Sequence, residues 1–227
     1  MRDAGRWLHG IVNGESFETI SAATREALVR AGRPREFRPG EVVFHQGDPC
    51  DSLFLLRRGR VSVHVLTPDG DDVTIGLIAA PDAFGEVGLI RPDHHHTATV
   101  VALDDVHVLS VLASRFHDLR VDHPDLTDWL LLTLTQRLER MSALLADALF
   151  VDAEHRVARR LLDCRCSFGV DGAEPLPLTQ DDLAAMAGVT RPTANRVLRH
   201  LEDLGVVHLG RRHITIADLE TLARAAR

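Results

Sequence analysis

The chain has 227 residues, of which 45% are hydrophobic and 26% charged, with a formal net charge of −7. That is long enough for more than one hydrophobic core and too apolar for a disordered chain. No run of about 18 uncharged apolar residues exists, which excludes a membrane-spanning helix. The first residues, Met1-Arg-Asp-Ala-Gly-Arg-Trp7, lack the apolar run and cleavage site of a signal peptide. The three cysteines are too few and too scattered for a disulfide framework, so a cytoplasmic location is expected. Lysine is absent; we read this as codon bias towards G and C. The acidity is uneven: residues 1–151 carry the whole net charge of −7, and residues 152–227 sum to zero.

In chain order, residues 16–31 read as a helix. Residues 37–112 read as about eight short strands broken by turns. His45-Gln-Gly-Asp-Pro49, Pro68-Asp-Gly70 and Pro81-Asp-Ala-Phe-Gly85 are turn clusters. Val61, Val63 and Val65 alternate with Ser62 and His64, the period of a half-buried strand. Val73–Ile78, Thr97–Ala102 and Val106–Leu112 follow. This spacing predicts a jelly-roll barrel or sandwich.

Residues 124–149 read as a single long helix starting at Pro124. Leu130, Leu134, Leu138, Met141, Leu145 and Ala148 recur at steps of three and four, a coiled-coil-like seam. The seam predicts a homodimer. The further apolar residues Trp129, Leu131, Leu132, Leu144 and Leu149 leave room for packing on the barrel as well.

Phe150-Val151 reads as a hinge, and Asp152 as the N-cap of a helix over 153–163. Cys164–Asp171 is expected to be a loop. Thr179 caps a helix ending at Met186, and Gly188 turns the chain. A second helix runs from Arg191 to Leu204, stopped by Gly205. Val206–Leu209 and His213–Ile216 flank Gly210-Arg-Arg212 as a two-stranded wing, and Asp218 starts a last helix. Thr179–Leu198 is a helix-turn-helix pattern: Leu183, Ala184, Met186, Val189, Val197 and Leu198 can pack two short helices around Gly188. The second helix then offers Arg191, Thr193 and Arg196 near its start, where such helices meet base edges. Arginine bonds guanine O6 and N7 bidentately. Thr179 and Gln180, at a helix N-terminus, are candidates for phosphate contact. Arg191, Arg196 and Arg199 face no acid within 188–200; the plainer reading of such a run is a solvated helix face.

His45-Gln-Gly47, Phe84-Gly-Glu-Val-Gly-Leu89, Thr97-Ala98, Phe150-Val-Asp152 and the helix-turn-helix occur in this order. Over residues 20–217 the chain thereby resembles the cyclic-AMP receptor protein and fumarate-nitrate regulator (CRP/FNR) family of bacterial transcription factors. The resemblance implies an α+β fold: an N-terminal cyclic-nucleotide-binding-like jelly-roll barrel, a long dimerisation helix and a C-terminal winged helix-turn-helix. The expected domains are an effector-sensing barrel with its N-terminal helix (1–121), the long helix and hinge (122–151), and the DNA-binding domain (152–227). It implies a non-enzymatic homodimer that binds a pseudo-palindromic duplex, with RNA polymerase as a candidate partner. Where the family often has Glu after the first recognition arginine, this chain has Pro192, which offers no acceptor.

The resemblance also places a candidate effector pocket at Gly85, Glu86, Val87, Gly88, His96 and Thr97, with Arg137, Met141 and Ser142 of the long helix at the base-contacting positions. The family's phosphate-binding arginine is His96 here, and Met141 stands where a threonine would bond the base. An Arg–phosphate pair contributes roughly 1.5–3 kcal/mol per charge-assisted bond, so a cyclic nucleotide is expected to bind weakly. A protonated His96 would restore charge, and a phosphate would raise its pKa. The open alternatives are another small effector, no effector and constitutive DNA binding, or a metal or haem sensor. His94 and His96 could share a strand face with His64 or His107 as ligands; the plainer reading is an exposed loop. His9, His45 and Cys50 are the haem-ligand candidates. Residues 1–49 contain no cysteine for an iron–sulfur cluster, and Cys164 and Cys166 alone are too few for a closed metal site. A metal-dependent barrel enzyme would need a compact His-x-His followed by Glu and a later His, which the barrel histidines do not show.

Overall fold

The computed structural model describes residues 19–70, 72–90, 93–168 and 174–226. The chain forms two compact units; one holds the barrel apart from Val73–Ile75 and extends to Leu138, and the other takes Val73–Ile75 and the chain from Glu139 onward. No helix among the described residues is long and apolar enough to cross a membrane.

The first unit opens with α1 (Ala22–Ala31). Ser21 caps it by accepting from the Thr24 amide at 3.1 Å, which fixes the start of this helix at Ala22; residues 16–18 of the expected helix lie outside the described residues. The strands are β1 (Arg33–Phe37), β2 (Val42–Phe44), β3 (Ser52–Arg58), β4 (Arg60–Leu66), β5 (Asp72–Ala79), β6 (Asp82–Phe84), β7 (Thr99–Ala102) and β8 (Val106–Leu112). They form two four-stranded sheets, β1-β8-β3-β6 and β2-β7-β4-β5, the barrel that the strand spacing predicts. A short helix, α2 (Glu86–Ile90), follows β6.

β3 shows how the barrel is filled. Leu53-Phe-Leu-Leu56 has no alternation because both faces are buried. Leu53 and Leu55 pair in register with Val111 and Leu109, and they pack with Leu28, Phe116, Leu126 and Trp129 of the flanking helices. Phe54 and Leu56 join Val61, Phe84, Val100 and Val108 in a second cluster. One expectation needs correction here. Asp82–Phe84 is a strand, not part of a turn, because Phe54 and Phe84 stack at 5.3 Å across β3–β6. Ala113–Asp122 forms a helix, α3, that buries Phe116.

The long helix α4 spans Asp125–Phe150. Its first half buries Leu126, Trp129, Leu130 and Thr133. Leu130 thus belongs to the barrel core and not to the seam, and Leu134 is half-buried against that core. Beyond it, Leu138, Met141, Leu145 and Leu149 are each more than 60% exposed.

In the second unit Asp152 caps α5 (Ala153–Ser167) by accepting from the Glu154 and His155 amides. The helix runs past residue 163, so Cys164 and Cys166 are helical and not in a loop. α6 (Gln180–Met186), α7 (Arg191–Asp203), β10 (Val207–Gly210), β11 (His213–Ile216) and α8 (Leu219–Ala225) complete a winged helix-turn-helix. The wing has a third strand, β9 (Pro175–Leu176), paired to β11. Proline tolerates this place because an edge strand needs no donor on its outer side. Val157, Leu161, Leu183, Leu198, Ile214 and Leu222 form the buried interior.

Candidate nucleic-acid interface and effector pocket

α6 and α7 hold their shape through their caps. Thr179 accepts from the Asp182 amide at 3.1 Å while Asp182 accepts from the Thr179 amide at 3.0 Å, a reciprocal capping box. The Thr179 hydroxyl also donates to Asp182 at 2.6 Å. It is therefore engaged inside the protein, beside two acids in the first turn of α6. Gly188 supplies the turn with a φ of +60°. Thr190 caps α7, and Pro192 sits in its first turn, where a missing N–H costs nothing.

α7 buries Ala194, Val197, Leu198 and Leu201. That leaves Arg191, Pro192, Arg196 and Arg199 exposed and Thr193 half-buried. Arg191 meets Asp181 of α6 at 3.2 Å, both side chains being well exposed. Such a pair is easily exchanged for another anion. Gln180 accepts from Asn195 at 2.6 Å. Sequence reading missed Asn195; its one signal was its place one helical turn beyond Arg191.

The bend between α4 and α5 is held by arginines that sequence reading also missed. Arg156 donates to the carbonyls of Ala148, Val151, Ala187 and Gly188 at 2.8–3.3 Å. The cation thus sits at the C-terminal ends of α4 and α6, where the helix dipole favours positive charge. Asp147 bridges Arg159 and Arg160, and Arg160 also bonds Asp163.

The pocket residues of the barrel unit assemble around the end of β6. Gly85 has a φ of +90°, and a Cβ there would lie 3.1 Å from the Ser52 carbonyl. Gly88 packs so closely that a Cβ would stand 2.7 Å from that of Cys50. These glycines seat α2 and direct Glu86 inward, where it is fully buried. Arg137 donates to Glu86 Oε1 and to the Ala83 carbonyl. Glu86 Oε2 has no hydrogen-bond partner among the described residues. Burial pushes the Glu86 carboxyl up, and Arg137 opposes that. Val87 is half-buried and Thr97 exposed. Met141 and Ser142 lie exposed on α4 in the second unit.

His96 does not project as a cation. It is 6% exposed and stacked on Phe44, with ring centroids 3.5 Å apart and planes 7° apart. Burial holds its pKa below the ordinary value, so the ring is neutral at pH 7. The expected restoration of charge by a protonated His96 therefore works against its own packing. Its backbone pairs with the 45–50 turn: the His96 amide donates to Asp48 and its carbonyl accepts from Gly47, each at 2.9 Å.

Among the described residues the histidines stay apart. His94 is exposed at a φ of +47°, His64 is bonded to Ser62 and Asp72, and His107 lies beside Glu36. Among the described residues no three His, Cys, Asp or Glu side chains form a metal-binding group. His9 lies outside the described residues. Cys50 is buried, and burial pushes its thiol up to about 11, which keeps it protonated. Cys164 is buried and Cys166 exposed, so the two face different ways on α5.

Residues 34–123 match the cyclic nucleotide-binding domain, and residues 155–225 match the Crp-like helix-turn-helix domain. The chain is 30% identical over 215 residues to a CRP-like cAMP-activated global transcriptional regulator of Mycobacterium tuberculosis, covering 93% of this chain and 96% of that protein. It is 28% identical over 182 residues to the cAMP-activated global transcriptional regulator Vfr of Pseudomonas aeruginosa, covering 77% of this chain and 85% of that one. The solved structure of the c-di-GMP responsive global regulator CLP of Xanthomonas campestris shares the fold. Its TM-score is 0.76 at 21% identity, with 87% of this chain and 99% of that chain covered. With both domain matches in the expected order and a relative aligned along nearly its whole length, the chain belongs to the CRP/FNR family of DNA-binding transcription regulators.

Proposed function

We propose that this protein binds a pseudo-palindromic operator as a homodimer, and that its barrel pocket takes cyclic AMP at least about tenfold more weakly than relatives with arginine at position 96. One observation supports the pocket reading: His96, at the position that the family resemblance gives to the phosphate-binding arginine, is buried and stacked on Phe44, and burial lowers its pKa. A neutral ring supplies one ordinary hydrogen bond where a guanidinium supplies charge and two donors. The lost energy exceeds about 1.4 kcal/mol, a factor of ten. The exposed Leu138, Met141, Leu145 and Leu149 support pairing of α4 with a second copy. Arg191 and Arg196 then read each half-site, with Thr193 and Gln180 alongside, and half-sites lie about 34–36 Å apart. Thr179, already bonded to Asp182, contributes to phosphate contact through the end of its helix alone.

A second reading, constitutive DNA binding, is favoured by Arg137, which pairs with Glu86 Oε1 from within the protein. The test for both is affinity for a selected palindromic operator, with and without cyclic AMP and cyclic GMP at fixed salt. Tight operator binding with a weak nucleotide response is expected. A submicromolar response to cyclic AMP would overturn the pocket reading, and tight binding that neither nucleotide alters would leave the constitutive reading against another effector, a metal or haem.

A further inference from the structure

The first turns of α7 carry a second kind of base-reading side chain. Asn195 follows Arg191 by four residues, so the two lie on one flank of the helix. Both are tied to the start of α6, Arg191 to Asp181 and Asn195 to Gln180. The ties differ in kind. The Arg191 pair is exposed on both sides, whereas Asn195 is half-buried and held at 2.6 Å.

A carboxamide has two N–H donors and one carbonyl acceptor. The bond to Gln180 uses one N–H of Asn195. One N–H and the Oδ1 remain, a donor beside an acceptor in a single plane. Adenine presents the complement in the major groove: its N6 amino group donates and its N7 accepts. Guanine offers two acceptors there, cytosine a donor and thymine an acceptor with a methyl group. Pro192, on the neighbouring exposed stretch, has no side-chain donor or acceptor and adds no competing preference.

We propose that Asn195, positioned by Gln180, is a specificity-determining residue that selects adenine at one position in each half-site. The proposal rests on the DNA-binding reading above. In it Oδ1 accepts from adenine N6, the free N–H donates to N7, and the Gln180 bond fixes the plane of the amide before DNA arrives.

The experiment selects operators from a random duplex library with the full-length protein. It then measures affinity for every single-base variant of the selected half-site at fixed salt. The wild type should prefer adenine at one position by roughly ten- to a hundredfold, the span expected of a good bidentate pair. Asn195→Ala should abolish that preference and leave the others intact. Gln180→Ala should weaken it without moving it. Asn195→Asp should shift it to cytosine, since a carboxylate accepts from the N4 amino group. A structural role would not produce such a switch. An unchanged preference map in Asn195→Ala, or a uniform loss at every position, overturns the proposal. A wild type that selects no sequence overturns the DNA-binding reading beneath it.

Discussion

The recognition helix and the barrel pocket keep the family frame to different depths. In α7 the frame is kept and, Pro192 apart, so are its polar residues: Thr190 caps the helix, an apolar face buries it, and arginines stand exposed on the other side. In the pocket the frame is present without its charge. Gly85 and Gly88 still turn the chain and Glu86 still points inward, but His96 packs against Phe44. Backbone geometry and ligand chemistry are therefore separable. Glycines and apolar residues hold the backbone, while the side chain at position 96 is free to change without disturbing it.

The largest effect that tests this comparison is expected at the bend of the second unit. Asp147→Ala removes the carboxylate shared by Arg159 and Arg160 and should cost about 3 kcal/mol, at the low end for a broken buried ion pair. Chemical denaturation would read it; a loss near zero would mean that Asp163 and the Ala226 carbonyl suffice as partners. Arg191→Ala should cost roughly 1–3 kcal/mol in operator affinity and relax selectivity at one base pair. Equal loss on all sequences would instead mark a phosphate contact.

Restoring charge to the pocket tests the other side. His96→Arg should raise cyclic AMP affinity at least about tenfold in titration calorimetry. No gain would move the cause of weak binding to Met141 or to the Glu86–Arg137 pair. The smallest effect concerns pH. His96 is held below its ordinary value of 6.5, so the unfolded chain binds the proton more readily than the folded one. Its contribution to stability is present above pH 6.5 and is lost as the pH falls towards the folded value. His96→Phe keeps the stacking and removes the titration. The difference in Tm between variant and wild type should therefore shift in the variant's favour from pH 7.5 to pH 5.5. A constant difference would show that the ring is not buried as a neutral group.

What was legible in the sequence was local. Pro68-Asp-Gly70 marked the β4–β5 hairpin, Asp152 and Thr179 marked helix starts, and Gly205 marked a helix end, because each acts on its immediate neighbours. Elements stabilised from afar were missed or shortened. Asp82–Phe84 is a strand only because β3 lies beside it. Pro175-Leu176 is one only because β11 does. α5 reaches Ser167, burying Cys164 on its inner face.

The sequence by itself determined the order of elements, the family and the helix-turn-helix with its arginine-bearing second helix, since these follow from periodicity, caps and motif spacing. Tertiary structure decided the rest. It divided the long apolar stripe of α4 between a buried start and an exposed end, because burial depends on what lies opposite. It set Gln180 against Asn195, fifteen residues away, and Arg156 against four carbonyls. It turned His96 from a candidate cation into a buried stacked ring, because burial lowers the pKa of an imidazole more than the nearby Asp48 and Asp51 raise it, and burial is set by the fold.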